Sequence, residues 1–171
     1  MSHAAAQGHI DTTVSDGVAR IRFFHPAHNS MPGHLLAQLA EAVEQAGSNE
    51  SVRVIVLESE GERSFCAGAS FDELAGIQDF DEGKRFFLGF ANVINAMRKC
   101  PKFIIGRVQG KAIGGGVGLA SATDYCAATE AASIKLSELA VGIGPFVVGP
   151  VVERKIGKAA FAQLSINATE F

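Results

Sequence analysis

Apolar and polar positions change period along this chain, and the changes divide it into predicted strands and helices. Val18 to Phe24 is rich in strand-forming residues and predicts a strand that ends at the turn cluster Pro26 to Ser30. The next apolar residues recur three and four positions apart, which predicts a helix with Pro32 near its start and Gly47 after its end. The residues that carry this helical spacing are Leu35, Leu36, Leu39 and Val43.

A strand, a long helix and a second strand follow in the middle of the chain. Val52 to Leu57 predicts a buried strand, Asp81 to Cys100 predicts a helix closed by Pro101, and Phe103 to Val108 predicts the next strand. The apolar stripe of the long helix predicts core packing, with one end able to line a pocket; it comprises Phe86, Phe87, Phe90, Val93, Ile94 and Met97. This βαβ order implies parallel pairing and an α/β fold.

Length and charge narrow the classes of function. A chain of 171 residues has room for one domain, which we take to span residues 1–171. The formal net charge of -3 leaves no basic surplus that would attract nucleic acid or an anionic membrane. The longest apolar stretch, Leu139 to Val152, is too short and too interrupted by glycine and proline to span a bilayer.

The N-terminal residues and the cysteines indicate the cellular compartment of the protein. No basic and then apolar segment marks a secretory signal in the first ten residues. Cys66, Cys100 and Cys126 are odd in number and stand among apolar residues, so we expect reduced, buried thiols. These observations predict a cytoplasmic protein.

Two glycine-centred segments carry the candidate chemistry. The first glycine loop, residues 64–71, and the second glycine loop, residues 113–119, each follow a predicted strand and present backbone N–H groups with little side chain in the way. If the two loops converge, they offer two donors to a negatively charged oxygen, which is an oxyanion hole. Glu138 is the only acid in an otherwise apolar stretch. Two donors and one carboxylate predict proton transfer beside a polarised carbonyl.

Simpler interpretations of the same residues remain open. The run Gly114 to Gly118 is also compatible with a closely packed helix start or a nucleotide loop, although its spacing does not fit G-x-G-x-x-G. Glu138 is also compatible with a first-turn helix acid stabilised by the helix dipole. His25, His28 and His34 have no cysteine or carboxylate partners at ligand spacing, so we expect no metal site.

Several motifs in order resemble the enoyl-CoA hydratase/isomerase (crotonase) family. They are Phe65 to Phe71, Ala112 to Leu119, and Leu136 to Leu139 followed by Gly142 to Pro145. The resemblance covers nearly the whole chain and implies a crotonase-like spiral core of ββα units. It also implies that a C-terminal helical segment is missing, that the apolar face of Ala159 to Leu164 is left uncovered, and that the full-length form is a homo-oligomer, a trimer or hexamer.

The resemblance assigns roles to individual residues. Ala69 and Gly115 look like the two backbone donors to a thioester oxygen, and Glu138 matches one of the two catalytic glutamates of the hydratases. The second glutamate would fall at Gly118, where glycine supplies neither acid nor base. Ser70 stands where many relatives have aspartate. The resemblance further implies that the substrate is bound by Ala67, Gly68, Ser70, Phe71, Ile113, Gly114, Gly118 and Ser137.

The implied substrate is an acyl-CoA thioester, and the implied chemistry needs no separate cofactor because coenzyme A is part of the substrate. Among the possible reactions, hydration of a 2-enoyl-CoA is narrowly preferred because it is the commonest activity of the family. Isomerisation of a 3-enoyl-CoA follows, because a single carboxylate suffices to move one proton between carbons. A catalytically silent or scaffold paralogue is the alternative from another class, and neither nucleic acid nor a membrane is an expected partner.

Overall fold

Five strands form the main sheet of the computed structural model, which describes residues 8–168. In chain order they are β1 (His9–Ser15), β2 (Val18–Phe24), β4 (Val54–Ser59), β7 (Phe103–Val108) and β9 (Tyr125–Ala128). They lie side by side in that same order. β1 and β2 are antiparallel and the other neighbours are parallel, which confirms the predicted α/β fold.

Two long helices connect the parallel strands and cover the sheet. α1 (Gly33–Ser48) lies between β2 and β4, and α3 (Phe80–Lys99) lies between β4 and β7. The side chain of Asp79 accepts a hydrogen bond from the Glu82 N–H and so caps the start of α3. The largest fully buried side chains between sheet and helices include Ile21, Phe23, Leu35, Leu39, Ile55, Leu57 and Ile104.

Short strands and helices build the region where the candidate residues lie. β3 (Ser30–Met31) pairs with β6 (Gly68–Ala69), while β5 (Ser64–Cys66), β8 (Lys111–Ile113) and β10 (Ile134–Lys135) form a small parallel sheet in the order β10-β8-β5. The remaining elements are α2 (Phe71–Ala75), α4 (Gly115–Ala122), a 3₁₀ helix (Glu138–Val141), α5 (Gly149–Ile156) and α6 (Lys158–Ile166).

Some predicted boundaries and environments need correction. The strand predicted at Val52 to Leu57 lies two residues later, because Val52 is buried in the connection before the strand rather than in the ladder. Cys66 is buried, but Cys100 and Cys126 are only partly buried, and all three thiols are free. No helix in residues 8–168 is long and apolar enough to cross a membrane.

The apolar stripe of α3 divides into two parts. Phe90, Val93, Ile94 and Met97 are buried in the core as predicted, but Phe86 is only partly buried and Phe87 is 40% exposed. Phe86, Phe87 and Phe90 of the same stripe line a cavity. None of the residues of α6 is buried, although Phe161 and Leu164 pack against the edge of the core.

Candidate functional site

The two glycine loops lie next to each other at one edge of the small sheet. β5 and β8 are parallel neighbours, with Ser64 opposite Lys111 and Cys66 opposite Ala112. The segments that leave their carboxyl ends therefore emerge side by side. A Cβ added at Gly68 would lie 3.0 Å from the carbonyl oxygen of Ile113 and 3.6 Å from the amide nitrogen of Gly115. Convergence of the two loops, which the sequence predicted, is confirmed by this proximity.

Close packing explains why glycine occupies the first positions of this junction. Gly68 has φ +91°, a conformation that residues with a Cβ rarely adopt. Gly115 begins α4, and a Cβ there would collide with the ring of Phe90, which is buried against it. Its amide stands at the positive end of the α4 dipole, where a negatively charged oxygen is favoured.

A cavity of about 710 Å³ opens beside the two loops. Its walls come from the first glycine loop, the start of α4, the first turns of α3 and the segment 141–148. Ser70, Ser137 and Glu138 are the polar side chains among the described residues that line it. Such a mostly apolar pocket with a few polar groups is the usual form of a small-molecule site.

Glu138 supplies the carboxylate of this cavity. It is the first residue of the 3₁₀ helix, and its backbone carbonyl accepts a hydrogen bond of 3.0 Å from the Ile143 N–H. Within residues 8–168, its Oε2 atom is buried and has no hydrogen-bond partner. Burial raises the pKa of this carboxyl, since the charged form loses hydration. A partly buried acid with an unused oxygen is suited to exchange protons with a bound molecule.

Most of the predicted site residues meet at this cavity. Glu138, Ala69 and Gly115, predicted as catalytic, all line it. So do six of the eight predicted binding positions; they are Ala67, Gly68, Ser70, Phe71, Gly114 and Ser137. The catalytic and binding roles of these residues stay predictions.

Two of the predicted binding positions lie elsewhere. Neither Ile113 nor Gly118 is among the described residues that line the cavity. Ile113 places its carbonyl against Gly68, behind the junction of the loops. Gly118 is buried in α4 beneath Val148 and Ile94, the side chains that a Cβ at this position would meet.

The sequence interpretation missed an entire wall of the cavity, residues 141–148. The motif Gly142 to Pro145 lies within this segment, but the sequence interpretation used it only for the family resemblance and assigned it no binding role. Two amide side chains to which the sequence interpretation gave no role also belong to this region, the buried Asn29 and the partly buried Gln109. The Asn29 side chain donates to the carbonyls of Glu60 (2.8 Å) and Ser64 (3.0 Å), and Gln109 Nε2 donates to Gly61 (2.9 Å). Both brace the segment that leads into the first glycine loop.

One cluster of metal-ligand side chains occurs in the described part of the chain. Ligand atoms of His9, Asp11 and Glu60 lie within 4.8 Å of one another. The His9 Nε2 atom is 3.3 Å from Asp11 and 3.2 Å from Glu60, as in ordinary imidazole–carboxylate contacts. None of the three lines the cavity, so this cluster does not bear on its chemistry.

Comparison with known proteins places the chain in one family. Residues 13–171 match the family described as enoyl-CoA hydratase/isomerase. A 4-chlorobenzoyl coenzyme A dehalogenase from Arthrobacter is 33% identical, with 79% of this chain and 50% of the relative covered. The mitochondrial methylglutaconyl-CoA hydratase of Rattus norvegicus is 35% identical, with 82% of this chain and 44% of the relative covered.

Solved structures agree with this placement. The crystal structure of an enoyl-CoA hydratase from Shewanella pealeana superposes with a TM-score of 0.89 at 29% identity, covering 95% of this chain and 62% of that one. The chain spans about half the length of the curated relatives it matches. The relatives carry out different reactions, so the match by itself selects none of them.

Proposed function

The chain belongs to the enoyl-CoA hydratase/isomerase family, and from that premise we propose that it acts on an acyl-CoA thioester through an enolate. The thioester oxygen accepts hydrogen bonds from the amides of Ala69 and Gly115 at the junction of the two loops. Charge develops on that oxygen as the enolate forms, so these bonds strengthen in the transition state. The loss of one such donor raises the barrier by about 3–4 kcal/mol.

Glu138 carries the proton in this proposal. In the isomerisation of a 3-enoyl-CoA, the carboxylate takes a proton from C2 and leaves a dienolate whose negative charge lies on the thioester oxygen. The carboxylic acid then returns the proton to C4, and the electrons shift to give the conjugated 2-enoyl thioester. One carboxylate suffices, and no water is consumed.

The observation that carries this choice of reaction is the solitary state of Glu138. It is the only ionisable side chain among the described residues that line the cavity. The place where the resemblance puts a second glutamate is occupied by Gly118, and Val148 fills the space above it. Isomerisation is therefore the reaction that the geometry supports best.

Hydration of a 2-enoyl-CoA is the second candidate. It is supported by relatives such as the methylglutaconyl-CoA hydratase of Rattus norvegicus and by its frequency in the family. In this case Glu138 alone would take a proton from the attacking water and deliver one to C2, because it is the one carboxylate among the described residues that line the cavity.

One assay with two substrates separates the candidates. The 171-residue chain is incubated with crotonyl-CoA and with 3-hexenoyl-CoA while the absorbance of the conjugated thioester is followed. A rise with 3-hexenoyl-CoA supports isomerisation, and a fall with crotonyl-CoA supports hydration. No change with either substrate contradicts both candidates and supports the silent or scaffold paralogue.

We also propose that the protein is a homo-oligomer, a trimer or hexamer, as the resemblance implies, and that it is cytoplasmic, as its cysteines suggest. Sedimentation gives the mass of the protein in solution, and a monomer would contradict the oligomeric part of the proposal.

A further inference from the structure

The cavity beside Glu138 is lined with aromatic rings. Among the residues that the structure describes, five phenylalanines contribute to its walls: Phe71, Phe86, Phe87, Phe90 and Phe146. The rings of Phe86 and Phe87 meet edge to face, with centroids 5.2 Å apart and planes at 87°. Such rings present a large apolar surface and favour apolar or aromatic groups packed against them.

The charge of the walls is as informative as their apolar character. No lysine, arginine or histidine is among the described lining residues, and Glu138 is the one charged side chain there. A free carboxylate on the acyl group, in addition to the thioester, would lose its hydration and would meet no cation in the cavity. It would also face the negative charge of Glu138, and burial of an unpaired charge of this kind is strongly unfavourable.

We infer that this cavity takes uncharged acyl groups with a bulky hydrocarbon or aromatic portion, and that it rejects acyl groups bearing a second carboxylate. The volume of about 710 Å³ lies within the range of sites for molecules of drug size, well beyond the needs of a four-carbon acyl group. The inference rests on the proposed function, because it identifies the acyl portion of the thioester as the occupant of the cavity.

Binding of two saturated thioesters tests this inference without any reaction. Glutaryl-CoA and 5-methylhexanoyl-CoA have acyl groups of nearly the same shape, with a carboxylate in one where the other has an isopropyl group. Isothermal titration of the 171-residue chain should give at least tenfold tighter binding of 5-methylhexanoyl-CoA. Because coenzyme A is common to both ligands, its contribution cancels in the ratio of their dissociation constants.

Two lysine variants, one at the cavity wall and one outside the cavity, test the effect of charge directly. Phe87 lines the cavity and is 40% exposed, while the adjacent Leu88 is 42% exposed and is not among the lining residues. Phe87→Lys places an ammonium group at the wall and should shift the binding ratio at least fivefold toward glutaryl-CoA. Leu88→Lys adds the same charge outside the cavity and should leave the ratio unchanged.

The outcomes separate this inference from the proposed function. Equal or tighter binding of glutaryl-CoA by the unmodified chain would overturn the inference while leaving acyl-CoA binding intact. Equal shifts in the two lysine variants would also overturn it, since the effect would then come from general charge. Failure of both thioesters to bind would overturn the proposed function and the inference with it.

Discussion

Val148 occupies the space that a side chain at Gly118 would need. A Cβ added at Gly118 would lie 2.5 Å from Cγ1 and 2.9 Å from Cβ of Val148, and 3.3 Å from Cδ1 of Ile94. Val148 and Ile94 are both buried. Val148 lines the cavity, and Ile94 belongs to the buried face of α3. As long as Val148 keeps this position, α4 cannot present a larger residue toward the cavity from position 118.

Substitution of Gly118 by alanine should therefore destabilise the protein. Overpacking costs about 1–3 kcal/mol, and alanine regains up to ~1 kcal/mol of helix propensity, so we expect the free energy of unfolding to fall by about 1–2 kcal/mol. Urea denaturation measures the change. In a Val148→Ala background the same substitution should cost less, because the obstructing methyl groups are gone. Equal costs in the two backgrounds would show that the contact does not limit position 118.

The second prediction concerns the acid itself. Glu138→Gln should lower kcat by about 10²–10⁴-fold, because the amide keeps the shape of the side chain but cannot exchange the proton. Binding of a saturated acyl-CoA should change little. Glu130→Gln is the matched control, since Glu130 is an exposed acid that is not among the lining residues. Near-normal turnover of the Glu138 variant would remove Glu138 from the mechanism.

The raised pKa of Glu138 predicts how stability depends on pH. Burial raises its pKa in the folded state, so the neutral acid is favoured there. The stability that protonated Glu138 contributes to the folded state is fully present below the pKa of this group in the unfolded chain. It is lost as the pH rises through the pKa of Glu138 in the folded state. Glutamine is neutral throughout, so Glu138→Gln should melt above the unmodified protein at pH 7, with a smaller difference near pH 4. Parallel melting curves across this range would contradict the prediction.

A pair of glycines tests the junction of the loops. Gly68 and Gly61 both have positive φ, at +91° and +83°. A Cβ added at Gly68 would lie 3.0 Å from the carbonyl oxygen of Ile113, whereas one added at Gly61 would meet nothing within 4 Å. Alanine at either position adds about 1–2 kcal/mol of backbone strain. Only Gly68→Ala should also separate the loops and lower kcat/KM by tenfold or more. Similar kcat/KM in the two variants would argue against the junction as the oxyanion site.

An ion pair between a buried carboxylate and exposed arginines on the main sheet provides a prediction on stability alone. The Glu58 side chain is 4% exposed; its Oε1 accepts hydrogen bonds from Arg22 at 2.9 Å and 2.6 Å, while Arg107 lies 3.7 Å from Oε2. Arg22→Ala leaves the buried carboxylate with only the distant arginine and should cost about 1–2 kcal/mol, less than for a fully buried pair because Arg22 is 49% exposed and water can partly replace it. Arg107→Ala should cost about 1 kcal/mol or less. A larger loss for the Arg107 variant in chemical denaturation would reverse this ranking.

Local patterns predicted the elements whose signals are local. β2 and β7 have the predicted bounds, and α3 begins and ends one residue before the prediction, because alternating or helical burial leaves a regular period in the sequence. β1 was missed because most of its residues are exposed, so no apolar alternation marks it. The turn Asp16-Gly17, with positive φ at both residues, is the hairpin signal that could have identified it.

The sequence by itself determined the family resemblance, the two glycine loops and the isolated Glu138, since each depends on residues close together in the chain. Only the tertiary structure decided that Phe87 faces a cavity although it shares a stripe with the buried Phe90. It also decided that Val148 closes off Gly118, thirty positions away in the chain. Periodicity shows which side of a helix is apolar, but whether that side meets core, cavity or a distant methyl group depends on how the elements pack.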